Sequence, residues 1–270
     1  MARLIADLVL ILALAWQPAA AETVADLPAG ERGLVATVID GDTVRLDGGD
    51  ADIRLIGLQA PKLPLGRKGF KVWPLADEAR RALESLVGDR AVSLHFGETR
   101  RDRAGRTLAH LVRDDGLWVQ GEMLRLGWAR MYTFADNRRL AAEMRALELN
   151  ARTARRGIWA NPYYAVRRAD DGRLMRDAET FQIVTGKVVD VGKVRDRWFL
   201  NFGEDFRTDF TVSIAKRDWP AFEQAGVNLD ALEGAEIEAR GWIAFRGGPA
   251  MEASHPEQIV VIERAAAEDG

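Results

Sequence analysis

The run Asp40-Gly41-Asp42-Thr43 places two carboxylates and a hydroxyl within four residues, between the β-branched stretches Val38-Ile39 and Val44-Arg45-Leu46. An Asp-Gly pair in that setting turns a β-hairpin. Hard cations such as calcium take oxygen ligands of this kind. The turn is therefore either a plain hairpin or one corner of a cation site, and its distant partners must decide. Other metal chemistry has little support: the chain has no cysteine, which removes disulfides, thiolate zinc sites and cysteine nucleophiles, and His95, His110 and His255 lack metal-ligand spacing and read as structural.

Positioning such a turn requires a folded scaffold. The chain has 270 residues, 47% hydrophobic and 29% charged, an ordinary globular composition with room for one large or two small domains. Its formal net charge is -3, so affinity for a polyanion must come from a local patch. Residues 1–21 combine Arg3, an apolar run from Leu8 to Trp16 and the small residues Ala19-Ala20-Ala21, the layout of a secretory signal peptide with Asp7 as a blemish. We expect cleavage after Ala21, a secreted or periplasmic product, and no stable membrane span afterwards.

After a leader at 22–33, Leu34 to Leu46 and Ile53 to Leu58 read as three strands in a meander. Pro61 to Pro74 is an irregular loop with a basic surface carrying Arg67, Lys68 and Lys71, either a phosphate-binding patch or a solvated charged face. A helix over Leu75 to Val87 follows, with Ala79, Leu83 and Leu86 on one face, then strands at Ala91 to Phe96 and Thr107 to Arg113. Trp118 to Leu126 reads as a short helix. Asp136 to Arg156 reads as a long one with Asp136 as N-cap and an apolar stripe of Leu140, Met144, Leu147, Ala151 and Ala154 for core packing, opposite Arg139, Glu143, Arg145 and Arg152. This order predicts an α+β, mainly β fold: an OB-type five-stranded barrel with three helices over 34–160.

Residues 161–180 are polar and aperiodic and read as a linker. From 181 to 264 the strand patterns resume, at Ile183 to Val191, Trp198 to Phe202, Asp209 to Ile214, Ala235 to Phe245, Ala250 to Ala253 and Gln258 to Ile262, with a helix over Trp219 to Leu232. That order predicts a second, smaller OB-like barrel with a hairpin at Gly247-Gly248-Pro249. Trp198, Phe202, Phe210, Trp242 and Phe245 either stack bases, as on single-strand-binding OB surfaces, or fill the core.

The opening turn gains its partners in Arg54-Leu55-Ile56-Gly57-Leu58-Gln59-Ala60-Pro61, in Arg101-Asp102-Arg103-Ala104-Gly105-Arg106-Thr107-Leu108-Ala109 and in Arg156-Gly157-Ile158-Trp159. Together these motifs resemble the thermonuclease family, the staphylococcal-nuclease-like proteins, over about residues 35–159. The resemblance implies that Arg54 and Arg106 hold the scissile phosphate, where guanidinium forks grip its oxygens and offset the charge that grows in phosphoryl transfer. It implies calcium held by carboxylates, one of them Asp42. A second ligand position carries Gln59, and the general-base position carries Lys62.

Where the family has three carboxylates, this chain thus has an aspartate, a neutral amide and an ammonium, whose charges cancel. Calcium binding is expected to be weak or absent, since affinity follows ligand charge. An ammonium has no lone pair with which to act as base. Arg54 shares strand parity with Ile56 and Leu58, so an ion pair with a nearby carboxylate is the alternative to a phosphate. Replacement carboxylates are available by number only: Asp40, Asp77, Glu78, Glu98 and Asp102. Three functions fit: a binder of single-stranded DNA or RNA with degraded catalysis, an active nuclease using another base or metal arrangement, and an envelope protein whose partner is another protein.

Overall fold

The computed structural model describes residues 22–205 and 207–262. The expected signal peptide lies outside these residues. Strands β1 (Ala29–Asp40), β2 (Thr43–Leu46) and β3 (Ile53–Leu55) are followed by the short β4 (Leu58–Gln59), helix α1 (Ala76–Val87), β5 (Ala91–His95) and β6 (Thr107–Arg113). The first barrel closes in the order β1-β2-β3-β6-β5, with β3 and β6 paired in parallel. Its interior holds Val44, Leu55, Leu83, Leu94, Leu111 and Met123, all buried. Burial of each such side chain contributes about 1.5–3 kcal/mol. Among the described residues no helix is long and apolar enough to cross a membrane.

Helices α2 (Val119–Arg125) and α3 (Ala141–Thr153) pack on the barrel, with β7 (Arg130–Met131) between them pairing with β4. Several boundaries differ from expectation, among them the ends of β3, at Leu55 rather than Leu58, and of α3, at Thr153 rather than Arg156. β1 begins at Ala29, inside the expected leader. α3 begins at Ala141 rather than at Asp136, because Asn137 is buried and donates its side-chain amide to the Thr99 carbonyl at 2.9 Å, holding the preceding turn out of the helix.

The segment expected as a linker is packed structure. It contains β8 (Arg167–Arg168), which pairs with β9 (Phe181–Lys187), and it buries Tyr164, Arg167 and Leu174. β10 (Asp190–Val194), β11 (Arg197–Asn201), β12 (Thr211–Ala215), helix α4 (Trp219–Gln224), β13 (Glu236–Arg246), β14 (Gly248–Glu252) and β15 (Ile259–Val261) complete the chain. These strands form one eight-stranded sheet in the order β10-β11-β12-β14-β13-β9-β8, with β15 also on β13 and β12 parallel to β14. With β9 and β10 consecutive in the chain, this is the OB-like order expected for the second part, and β13 is its longest strand. Its first half pairs with β9 and β15 and its last residues pair with β14, so one 11-residue strand serves two sets of neighbours. The expected helix from Trp219 to Leu232 stops at Gln224, and a short 3-10 turn at Asp230–Leu232 follows.

The two parts share a junction. Trp73, Ala151, Ile158 and Trp159 of the first pack with Tyr164, Phe181 and Ile183 in one apolar cluster. Beside it, buried Arg240 pairs with Glu148 at 2.9 Å and Glu238 at 2.7 Å, and Glu238 also takes Arg145 at 3.2 Å and Arg152 at 2.7 Å. Burial pushes the Glu238 carboxyl up, but Arg240 and Arg152 outweigh it and hold it at about 2. The polar face of α3 is therefore a docking face for the second sheet, because Arg145 and Arg152 both reach Glu238 from it.

His255 sits in the same junction, with Nε2 2.8 Å from Thr133 Oγ1 and Nδ1 3.0 Å from Ser254 Oγ. Burial, then the charge of Arg138, pushes its pKa from 6.5 to about 4, and burial pushes His110 to about 3. Both folded values lie below the unfolded one, so the unfolded chain takes up protons first as pH falls. The contribution of these two histidines is full above about pH 6.5 and is lost as the pH falls through about 4 and then 3. The urea midpoint should fall across that window, and His255→Gln should flatten part of the fall; an unchanged profile in the variant would assign the protons elsewhere.

Candidate phosphate cleft

Asp40 pairs with Thr43 across the β1–β2 hairpin, and Gly41-Asp42 forms the turn. Glycine is required at 41 by close approach: a Cβ there would lie 2.7 Å from Ala60 Cβ and 3.0 Å from Ala79 Cβ. This packing sinks Asp42 to 0% exposure. Its Oδ2 accepts the Ala60 N–H at 2.8 Å, and its backbone N–H donates to Asp40 Oδ1 at 3.0 Å. Two cations meet its Oδ1: Arg54 Nη1 at 2.7 Å and Lys62 Nζ at 2.5 Å. Lys62 also reaches Asp40 Oδ2 at 3.1 Å. The ammonium thus lies between the two turn carboxylates.

The electrostatics follow. Burial would raise the Asp42 carboxyl, but Arg54 and Lys62 hold it well below the usual carboxylate range. Asp40 is raised, by burial first and by the Asp42 charge second, with Lys62 only partly opposing. Arg54 is largely committed inward, because besides Asp42 Oδ1 it donates to the Asp42 carbonyl at 3.0 Å and the Leu58 carbonyl at 2.5 Å. Gln59 is buried and its amide donates to the Ala60 carbonyl at 3.3 Å.

Arg106 is held differently. Asp102 closes the turn before β6, accepting the Ala104 N–H at 2.9 Å and the Arg106 N–H at 3.0 Å through Oδ1. Its Oδ2 takes Arg106 Nε–H at 2.7 Å. Burial acts to raise Asp102, but the hydrogen bonds from Arg106 hold it below its ordinary value. Both terminal nitrogens of Arg106 make no hydrogen bond within the described residues, and the side chain is 38% exposed. A guanidinium fixed at Nε with an open fork suits a bidentate phosphate.

These groups line one cleft of about 390 Å³. Arg54, Lys62, Arg67 and Arg106 line it together with Asp40 and Glu179, and Gln59, Trp73, Tyr132, Phe134 and Trp242 complete its walls. Arg67 is folded back on its loop, donating to the Pro64 and Leu63 carbonyls at 3.0 and 2.7 Å and lying 3.7 Å over the Phe70 ring. Lys68 and Lys71 are exposed and outside the lining. Of the carboxylates available by number, Asp40 lies in the cleft and Asp102 supports Arg106. Asp77, Glu78 and Glu98 are not in the lining, and Glu78 pairs with Arg81 at 3.5 Å.

Among the aromatic candidates Trp198 and Phe210 are core and Phe202 packs against it, Phe245 is exposed, and Trp242 enters the cleft. Sequence reasoning missed Trp73, Tyr132, Phe134 and Glu179. The aromatic residues at 132 and 134 alternate at strand spacing, which is the one signal that could have found them.

The family model for staphylococcal nuclease homologues matches residues 52–161. The chain is 30% identical over 138 residues to endonuclease YncB of Bacillus subtilis (strain 168), covering 50% of this chain and 64% of YncB, just under two thirds of that relative's length. It is 28% identical over 134 residues to the thermonuclease of Staphylococcus hyicus, covering 47% of this chain and 75% of that one. An uncharacterized endonuclease of Escherichia coli is 30% identical over 131 residues, with 48% and 77% covered.

Proposed function

The chain belongs to the staphylococcal nuclease family, and from that premise we propose that it binds phosphodiesters of single-stranded DNA or RNA at the cleft between Arg54 and Arg106, with calcium-dependent hydrolysis impaired or lost. The observation that carries this reading is the position of Lys62, whose ammonium contacts Asp42 at 2.5 Å and Asp40 at 3.1 Å. The family is calcium-dependent, but the residues here do not fit a hard divalent ion. The two turn carboxylates already share an internal cation, and Gln59 offers only a neutral amide. Lys62, engaged as a donor to both carboxylates, supplies no base. What remains is recognition, with Arg106 presenting its open fork beside Arg54 and Lys62, whose charges Asp42 and Asp40 offset. Residues 1–21 support export of the chain to the periplasm or beyond the cell.

A second reading, active hydrolysis with a base foreign to the family, is favoured by one observation: Glu179 lines the same cleft. One set of assays separates the two. The purified protein is incubated with single-stranded DNA and RNA, with calcium or with chelator, beside Arg106→Ala and Glu179→Gln. Binding without turnover, weakened about 10- to 100-fold in Arg106→Ala, is the expected result. Calcium-dependent turnover by the unaltered chain would overturn the first reading, and turnover in chelator that Glu179→Gln abolishes would establish the second.

A further inference from the structure

Trp242 stands on β13, well outside residues 52–161, yet it forms a wall of the phosphate cleft. Its side chain is large and apolar, and 41% of the residue remains exposed. The indole does not swing freely. Its Nε1–H donates to the Tyr132 hydroxyl at 3.0 Å, and the ring packs 6.4 Å from both Trp73 and Phe181, centroid to centroid. The only polar atom of the indole is thereby used, which leaves a flat π-face, fixed in advance, as what the residue offers to the cleft. The backbone of Glu179 is tied to the neighbouring residue of the same strand, donating to the Ile243 carbonyl at 2.8 Å. Arg106 lines the same cleft, and its open fork suits a phosphate there.

A rigid aromatic face sharing a cleft with an open guanidinium fork matches the two halves of a nucleotide. Stacking is tolerant of base identity and costs little ordering entropy when the ring is already held. We propose that Trp242 is the stacking face of a nucleobase subsite that the second sheet adds to the cleft, taking an unpaired base next to the bound phosphate. The inference rests on the phosphodiester reading above. It also specifies the substrate class: a base inside a duplex is already stacked on its neighbours, so the subsite selects single strands.

The test compares three probes on the full chain: a short single-stranded oligodeoxythymidylate, an abasic strand of equal length and charge, and a duplex. The unaltered protein should prefer the thymidylate strand over the abasic one by about 5- to 100-fold. Trp242→Leu should erase that preference, so that the two strands bind it with equal affinity, and Trp242→Phe should keep most of it. Thermal melts of both variants control for folding. Equal affinity of the unaltered protein for thymidylate and abasic strands overturns the subsite while leaving the phosphate cleft intact. Failure to bind any probe overturns both.

Discussion

Gln59→Asp combined with Lys62→Glu should create calcium binding and raise phosphodiester hydrolysis in calcium by at least about 10²- to 10⁴-fold, the usual contribution of a general base alone. The argument is one of charge and place. Lys62 now puts an ammonium on Asp42 and Asp40, and its replacement by a carboxylate removes that cation and puts a base at the same position. Gln59, already buried beside the turn, becomes a second new carboxylate. With Asp40 and Asp42 the variant would concentrate negative oxygens that only a hard cation can hold together. Calorimetry for binding and a cleavage assay with chelator as control read the two effects separately. A variant that binds calcium and remains inert would place the defect in the arginine clamp, where Arg54 is engaged with Asp42 and two carbonyls.

Lys62→Met should destabilise the chain by about 3–5 kcal/mol at neutral pH, the common cost of stripping one partner from a buried ion pair. Asp42 is wholly buried and Asp40 nearly so; with Lys62 gone Asp42 keeps only Arg54, and Asp40 loses its ion pair. The pH dependence has a definite sign. Asp40 already has a raised carboxyl, so its ionised form costs stability above its unfolded pKa and the cost disappears as the pH falls below it. Asp42 is depressed, and its contribution is present at neutral pH and lost in acid. Losing Lys62 enlarges the first cost and shrinks the second gain. The deficit of the variant should thus be greatest at neutral pH and diminish toward pH 4, read from urea midpoints. Calcium should restore part of the loss by mass action if the vacated position takes it; a deficit flat with pH would mean that Lys62 acts by packing alone.

Much of the first part was legible because its signals are local. The Asp-Gly hairpin declares itself by turn chemistry, α1 by the spacing of Ala79, Leu83 and Leu86, and Arg54 and Arg106 by short motifs in the right order. The ammonium between Asp40 and Asp42 was not legible, because residue 62 reaches residue 40 only through the path of the Pro-rich loop. Residues 161–180 look like a linker because their buried members, Tyr164, Arg167 and Leu174, follow no period. They are anchored one at a time: Tyr164 through its hydroxyl to the Pro74 carbonyl at 2.5 Å, Arg167 to Asp177 at 3.0 Å. Glu179 was hidden by the same misreading. The docking face of α3 was illegible for another reason, since arginines that cover a buried glutamate from a second sheet look, in sequence, like arginines in water.

The parallel seam of the first barrel has a consequence for the order in which the protein assembles. Arg54 pairs in register with Leu108, and Arg106 precedes β6 by one residue, so the two arginines stand together only when β3 and β6 are joined. The connection between those strands runs through β4, α1 and β5. Such a contact is among the most distant in the barrel, and its loop-closure entropy must be met before it returns any stability. A chain caught before that step holds both arginines and no grip. Retention on an immobilised phosphodiester would then report completed folding of the first barrel, since an early intermediate offers only unorganised charge.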